Sequence, residues 1–344
     1  MLDILPAMSI PAPTPVVHRA RFQGQVLLNE PLCREHFLLR VRVRGEFPAT
    51  RPGQFVQLGC RPPDEALDVE LLRGGEYEVQ PGQAVALRQP ELCGRLALLR
   101  RPFSLAGRGD DEQGTWLEVI HRVVGTGTQW LSELRAGDAV DLIGPLGNQF
   151  ELPAGKSLGL LVGGGVGLPP MFYLAGALRQ AGWDAVAFVG ALQRDLLAVG
   201  WCDGVAPDRA GEPRLSVRQF AEHGYPAVIT TDDGSVGLRG RITAGLEGVL
   251  EKLTAAQRAA AVVFTCGPDP MMHAVADLAG RFGVDCQVCL EQAMACGMGT
   301  CQSCVVKIEE HQRPQAKTAE GRPWRFRLAC TDGPVFDSRV VVWR

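Results

Sequence analysis

The sequence predicts a β-barrel, then an open α/β parallel sheet, then a small cysteine-bearing unit at the C-terminal end. Three observations predict it. Short alternating apolar and polar runs fill the first part of the chain, strand and helix patterns alternate after Leu158, and six of the eleven cysteines crowd between Cys286 and Cys330. At 344 residues the chain has room for two domains and an appendage, at about 150 residues per domain. A hydrophobic fraction of 46% and a charged fraction of 21% are those of a globular protein with true cores. The net charge of −3 gives neither nucleic acid nor an anionic membrane surface an electrostatic hold, so neither is expected as a partner.

Residues 1–16 are a proline-rich tail. The first twenty residues hold four prolines and no continuous apolar run, so no secretory signal is expected and the chain reads as cytoplasmic. Residues 17–152 read as the barrel. Within them FQGQVLLNE, HFLLRVRV, GQFVQLGC, WLEVIHRVV and DAVDLIGPLG alternate between Gly, Pro and Asp punctuation, with one helical piece at 129–134. Residues 61–98 read as an inserted hairpin or loop with no assigned role. Ser157 to Leu178 carries no charge and imitates a membrane span, but six glycines and Pro169-Pro170 interrupt it. A buried strand, a glycine turn and a helix account for it better.

Residues 153–286 alternate SLGLLVGGG, DAVAFVGA, AVITTD and AVVFTCG with helical MFYLAGALRQAG and DPMMHAVADLAGRFG. That is the pattern of a parallel sheet with a mononucleotide site at its strand C-termini. Residues 287–344 hold most of the cysteine cluster and close on RVVVWR, which reads as a strand.

Cys33, Cys60, Cys93 and Cys202 stand singly and read as buried packing. Clustered cysteines in a reducing compartment point to a metal, because a disulfide scaffold suits a small secreted domain. Cys296-x4-Cys301-x2-Cys304, completed by Cys330 after 25 residues, has the plant-type ferredoxin spacing that gives a [2Fe–2S] cluster its four thiolates. Gly297, Gly299, Thr300 and Ser303 are small enough for the backbone to wrap closely and aim amides at the sulfurs. The alternative is a structural zinc knuckle, but zinc ligands usually come as two close pairs, and here the fourth cysteine stands alone.

Arg101-Pro102-Phe103-Ser104 opens a strand candidate. A guanidinium suits a pyrophosphate, a serine hydroxyl can reach a flavin ring nitrogen, and Phe103 offers an aromatic surface. Alone it also fits an ordinary edge strand. Gly125-Thr126-Gly127-Thr128, at the start of a helix, presents free amides and a positive dipole end to phosphate. The two together favour a bound FAD. Gly163-Gly164-Gly165-Val166-Gly167, ahead of Leu168-Pro169-Pro170, is either a pyrophosphate turn or a tight structural one; Leu168 stands where a dinucleotide fingerprint has its third glycine. Cys266-Gly267 ends a strand and leaves room for a nicotinamide ring; Cys266 as a nucleophile has no His or Asp motif behind it, and Met271 and Met272 read as packing. His121 reads as a lining residue, and Asp232-Asp233-Gly234 as a turn before a dinucleotide contact. Gln193, Arg194 and Asp195 do not choose between NAD and NADP.

In chain order, RPFS, GTGT, GGGVG, TDDGS, CGPDPMM and CGMGTCQSC resemble the electron-transfer subunits of NAD-dependent (class B) dihydroorotate dehydrogenase, within the ferredoxin–NADP reductase superfamily. RLACTDGPVF around Cys330 matches the family's placement of its last ligand. The resemblance implies a ferredoxin reductase-like fold: a β-barrel FAD domain, an α/β parallel-sheet dinucleotide domain and a small C-terminal [2Fe–2S] domain. It implies that Arg101 to Ser104, Ile120, His121, Arg122, Gly127 and Thr128 hold FAD, and that Cys296, Cys301, Cys304 and Cys330 hold one cluster. The implied partner is a separate FMN-containing dihydroorotate dehydrogenase catalytic subunit, with electrons passing from FMN to the cluster, to FAD and on to NAD in pyrimidine biosynthesis. Residues 61–98 and the long gap from Cys304 to Cys330, which carries RPQAKTAEGRPWRFR, depart from the family pattern. Two other functions share these motifs: a related reductase subunit serving ferredoxin, sulfur or a glutamate-synthase-like partner, and a non-enzymatic zinc-stabilised nucleotide-binding module.

Overall fold

The computed structural model describes residues 20–63, 99–309 and 324–343. The proline-rich tail, Cys93 and residues 64–98 of the expected insertion lie outside the described residues.

Six antiparallel strands, β1 (Ala20–Cys33), β2 (His36–Val43), β3 (Phe55–Leu58), β4 (Arg101–Asp111), β5 (Gly114–Arg122) and β6 (Ala139–Leu146), close a barrel in the order β1-β2-β5-β4-β3-β6. Closure removes the open edges that short strands would otherwise expose. The alternation read in HFLLRVRV is the inward–outward period of β2: Leu39, Val41 and Val43 are buried with Leu105, Leu117 and Leu142 in the barrel interior. One helix, α1 (Thr126–Glu133), lies between β5 and β6. It begins three residues before the expected Gln129, because Thr128 Oγ1 accepts the amides of Val124 and Gly125 at 2.9 and 3.2 Å and draws the glycine turn into its first turn.

The second lobe is built on β7 (Leu158–Gly164), β8 (Asp184–Ala191), β9 (Ala227–Thr231), β10 (Leu238–Arg239), β11 (Ala261–Cys266) and β12 (Asp285–Cys289), all parallel to one another. Helices α2 (Leu168–Gln180), α3 (Arg218–Ala221), α4 (Ile242–Lys252), α5 (Ala255–Ala260) and α6 (Asp269–Arg281) connect them. Strands β7 and β11 are buried on both faces, which is why they read as continuous apolar runs. Pro169 and Pro170 sit in the first turn of α2, where a missing amide costs no hydrogen bond. No helix among the described residues is long and apolar enough to cross a membrane.

The cysteine-bearing section forms a hairpin of β13 (Val305–Glu309) and β14 (Trp324–Leu328), then returns to the sheet as β15 (Val335–Asp337), antiparallel to β12, giving the order β10-β9-β8-β7-β11-β12-β15. Cys304, Val306, Ile308, Ala329 and Cys330 share one core with the α4 and α6 face of the sheet and with Phe55 and Leu146 of the barrel. RVVVWR is not a strand. Asp337 Oδ1 accepts the Arg339 amide at 3.0 Å and caps a 3-10 turn over Ser338–Val340, leaving Val341 one isolated bridge to Ile308.

Candidate functional site

A cleft of about 720 Å³ opens where the barrel, the C-terminal edge of the sheet and the segment 289–294 meet. Arg101, Pro102, Phe103 and Ser104 of β4, Ile120, His121 and Arg122 of β5, and Gly127 and Thr128 of α1 all line it, with Cys266 opposite. Antiparallel pairing brings β4 beside β5, and the chain leaving β5 turns at once into α1, so three separate motifs reach one wall.

On that wall the first amides of α1 have no partner within the helix and point out of its N-terminus. Thr128 spends its hydroxyl on the turn, donating to Gly125 O at 3.1 Å. Arg122 is held by Glu35, whose carboxylate lies 2.8 Å from Nη2, and Arg101 rests on the Leu99 carbonyl at 2.9 Å with its side chain at the cleft mouth. His121 is 1% exposed, and both ring nitrogens are buried without a hydrogen-bond partner. Burial, with a smaller push from His36, brings its imidazole down to about 4, so it is neutral at physiological pH. It stacks on Phe37 and meets the edge of Phe103. Orphaned polar atoms buried in a cleft wall call for a group that can satisfy them. With the free amides of α1 and the Arg101 guanidinium, the wall fits a flavin with its pyrophosphate.

Cys266 lies on the floor, at the end of β11. Of the glycine turn after β7, Val166 lines the cleft and the glycines do not. A Cβ on Gly167 would stand 2.1 Å from the Cys266 carbonyl oxygen, one on Gly164 2.5 Å from Met271 Sδ, and one on Gly163 2.8 Å from Leu168 Cδ2. Only Gly165, at φ +57°, faces open space. Gly267, at φ +146°, lets the chain leave β11 toward α6, and its Cβ position is taken by Met271 and Gly164. Asp232-Asp233-Gly234 is a turn, with Asp233 Oδ1 accepting the Ser235 amide at 2.9 Å. Asp195 is engaged by Arg34 of the barrel at 3.0 Å.

The cysteine loop is built beside this cleft. Gly297 (φ +69°), Gly299 (φ +92°) and Gln302 (φ +58°) turn the backbone left-handed. The amides of Met298 and Cys301 both point at Cys296 Sγ, each at 3.4 Å. Pairing of β13 with β14, extended by Ala329 N donating to Cys304 O at 3.0 Å, brings the distant Cys330 beside Cys304. The thiols interact with one another, Cys301 with Cys296, and Cys330 with both Cys304 and Cys296. Four thiolates are the number a [2Fe–2S] cluster takes. Hydrogen bonds from Ser303 and from the neighbourhood of Cys296 lower the exposed Cys301 thiol to about 6, while burial lifts Cys330 to about 12.

The motif reading did not find Phe55, Val124, Pro334 or the segment Cys289 to Met294, all of which line the cleft. The last carried one signal: it joins β12 directly to the first cluster cysteine. Gln57 of the barrel anchors the junction, donating to Ala295 O at 3.4 Å, and its amide fills the space where a Gly297 Cβ would be.

Residues 291–342 match the model of the iron–sulfur cluster binding domain of dihydroorotate dehydrogenase B. Among solved structures, the chain resembles an NADH-dependent reduced ferredoxin–NADP oxidoreductase with a TM-score of 0.66 and 24% identity, covering 93% of this chain and 90% of that one. It also resembles the ferredoxin reductase of a carbazole 1,9a-dioxygenase with a TM-score of 0.54 and 20% identity, covering 78% and 68%. These likenesses establish the fold as ferredoxin reductase-like. The dihydroorotate dehydrogenase B (NAD(+)) electron transfer subunit of Caldanaerobacter subterraneus is 28% identical over 94% of this chain and 100% of its own length. Those of Desulforamulus reducens and Bacillus caldolyticus are 35% and 36% identical, each over 76% of this chain and 87% of their own length. Sequence, barrel, sheet and cysteine loop thus agree, and the chain belongs to the family of dihydroorotate dehydrogenase B (NAD(+)) electron transfer subunits.

Proposed function

We propose that this chain carries electrons between a [2Fe–2S] cluster and a nicotinamide dinucleotide by way of FAD, as the electron-transfer subunit of an NAD-dependent dihydroorotate dehydrogenase. One observation carries the reading. Residues 289–294 wall the cleft, and Ala295 alone separates them from Cys296, so cleft and cluster loop share a continuous piece of backbone. A bound flavin exchanges hydride with a nicotinamide and single electrons with a cluster, which joins a two-electron station to a one-electron one.

The chain's residues divide the holding. Arg101 and the first amides of α1 receive the pyrophosphate, Ser104 and neutral His121 offer hydrogen bonds to the ring system, and Phe103 and Ile120 exclude water from it. Cys266 and Gly267 leave a low floor for the nicotinamide, and the Gly163–Gly167 turn shapes that floor from below. Cys296 with Cys301, and Cys304 with Cys330, hold the cluster. Residues 17–152, 153–286 and 287–344 are the FAD, NAD and cluster sections in this reading, with 61–98 an insertion in the first. Cys301 and Met298 are exposed on the cluster loop, and the FMN-containing catalytic subunit meets the chain there. Cysteines clustered for a metal suit a reducing compartment, which supports the cytoplasm as the place of work.

The test is co-expression with the catalytic subunit and anaerobic purification. Iron, acid-labile sulfide and FAD in one complex that reduces NAD with dihydroorotate is the expected result, and Cys330→Ser loses the iron while keeping the flavin. A colourless zinc protein, or a stable complex with a different partner, overturns the reading.

A further inference from the structure

Two cysteines outside the cluster loop meet on the cleft floor. Cys266 of β11 and Cys289 of β12 are register partners in a parallel ladder, so their side chains leave the same face of the sheet. The interstrand spacing sets their Cα atoms about 4.8 Å apart, within the ~4.4–6.8 Å span that a disulfide bridges. The Cys289 thiol is the largest influence on the Cys266 thiol. Each residue is nearly inaccessible, at 1% and 2%, yet both form part of the wall of the open cleft. Cys286, on the same strand and equally buried, faces the opposite core, interacts with Ser338 and does not line this cleft. Packing alone accounts for Cys286. It does not require two thiols in register at the lining of a cleft.

We infer that Cys266 and Cys289 are an oxidisable dithiol, closing to a disulfide when hydrogen peroxide enters the cleft. The inference goes beyond the electron-transfer reading and does not depend on it. In the first step the thiolate sulfur of one cysteine attacks the peroxide O–O bond, giving a sulfenic acid and hydroxide, which takes up the proton released by the thiol to form water. In the second, the sulfur of the other cysteine displaces the sulfenic oxygen as a second water, leaving one S–S bond and two water molecules for each peroxide reduced. The bond ties the ends of β11 and β12 together beneath the cleft. The neighbouring Cys289 thiol and burial hold the Cys266 thiol well above its ordinary range, so closure is slow at neutral pH and quickens as the pH rises.

The experiment uses the full-length holoprotein, reduced, freed of reductant and exposed to hydrogen peroxide at pH 7 and pH 9. Remaining thiols are alkylated after unfolding, and peptides are mapped without reduction. The expected result is one linked species containing Cys266 and Cys289, formed faster at pH 9 and split by dithiothreitol, while Cys286 is recovered alkylated. In C289A the link disappears and dimedone traps a sulfenic acid at Cys266; C266S gives the reciprocal result should C289A fail to fold. Recovery of both thiols fully alkylated at peroxide doses that oxidise exposed cysteines overturns the inference, as does a link from either one to a different cysteine. Iron and flavin contents measured on the same sample report on the electron-transfer reading separately.

Discussion

Two glycine-rich turns join a strand to a helix in this molecule, and they look alike in sequence but do different work. Gly125-Thr126-Gly127-Thr128 lines the cleft with every one of its residues. A Cβ on Gly125 meets nothing within 4 Å, and its φ of 179° is open to any amino acid. Gly163–Gly167 stands mostly below the cleft, with the Cβ positions of Gly163, Gly164 and Gly167 already taken by Leu168, Met271 and Cys266. The first turn leaves open space at Gly125 on the cleft wall; the missing side chains of Gly163, Gly164 and Gly167 let β7, α2 and the end of β11 pack closely. Glycine spacing alone does not separate a binding turn from a packing turn. The neighbours of the missing side chain do.

The sharpest way to break that contrast is Gly167→Ala. Its methyl group lands on the Cys266 carbonyl, a backbone atom that cannot step aside, and the expected loss is about 3 kcal/mol or more, read as a fall in the urea midpoint or as failure to fold. Next in size is a pH effect on the opposite wall. The imidazole of His121 titrates at about 4 in the fold and near ~6.5 when unfolded, so the unfolded chain binds the extra proton between those values. Stability from this residue is complete above the unfolded pKa and is lost as pH falls through the folded one, by about 3 kcal/mol in all. Unfolding free energies at pH 7 and pH 4.5 are expected to differ by less in His121→Phe than in the parent.

The smallest effects separate the two turns most cleanly. Gly165→Ala meets open space but must hold φ +57°, and is expected to cost about 1 kcal/mol with no change in flavin retention. Gly125→Ala carries neither clash nor strain and is expected to stay within about 0.5 kcal/mol of the parent, while releasing FAD more readily on dilution, because its methyl group enters the cleft. Flavin fluorescence after gel filtration and thermal unfolding read the two properties side by side. Equal flavin loss in both variants removes the distinction between the turns.

By itself the sequence determined the order of architectures, and offered the four cysteines as candidates for one cluster and the barrel motifs as candidates for one flavin, because each rests on a local rule. Alternation with period two marks a strand, a ligand spacing marks a cluster, and a glycine turn marks a helix start. RVVVWR misled because apolar composition does not reveal a capping carboxylate, and α1 began early because one threonine hydroxyl organises the turn before it. The tertiary structure alone decided which glycines have open space and which are packed, placed Cys330 against Cys304 through strand pairing, brought residues 289–294 into the cleft wall, and set Cys266 beside Cys289. Those are contacts between residues far apart in the chain, fixed by ladder register and by the packing of one core against another, and no single segment encodes its own neighbours.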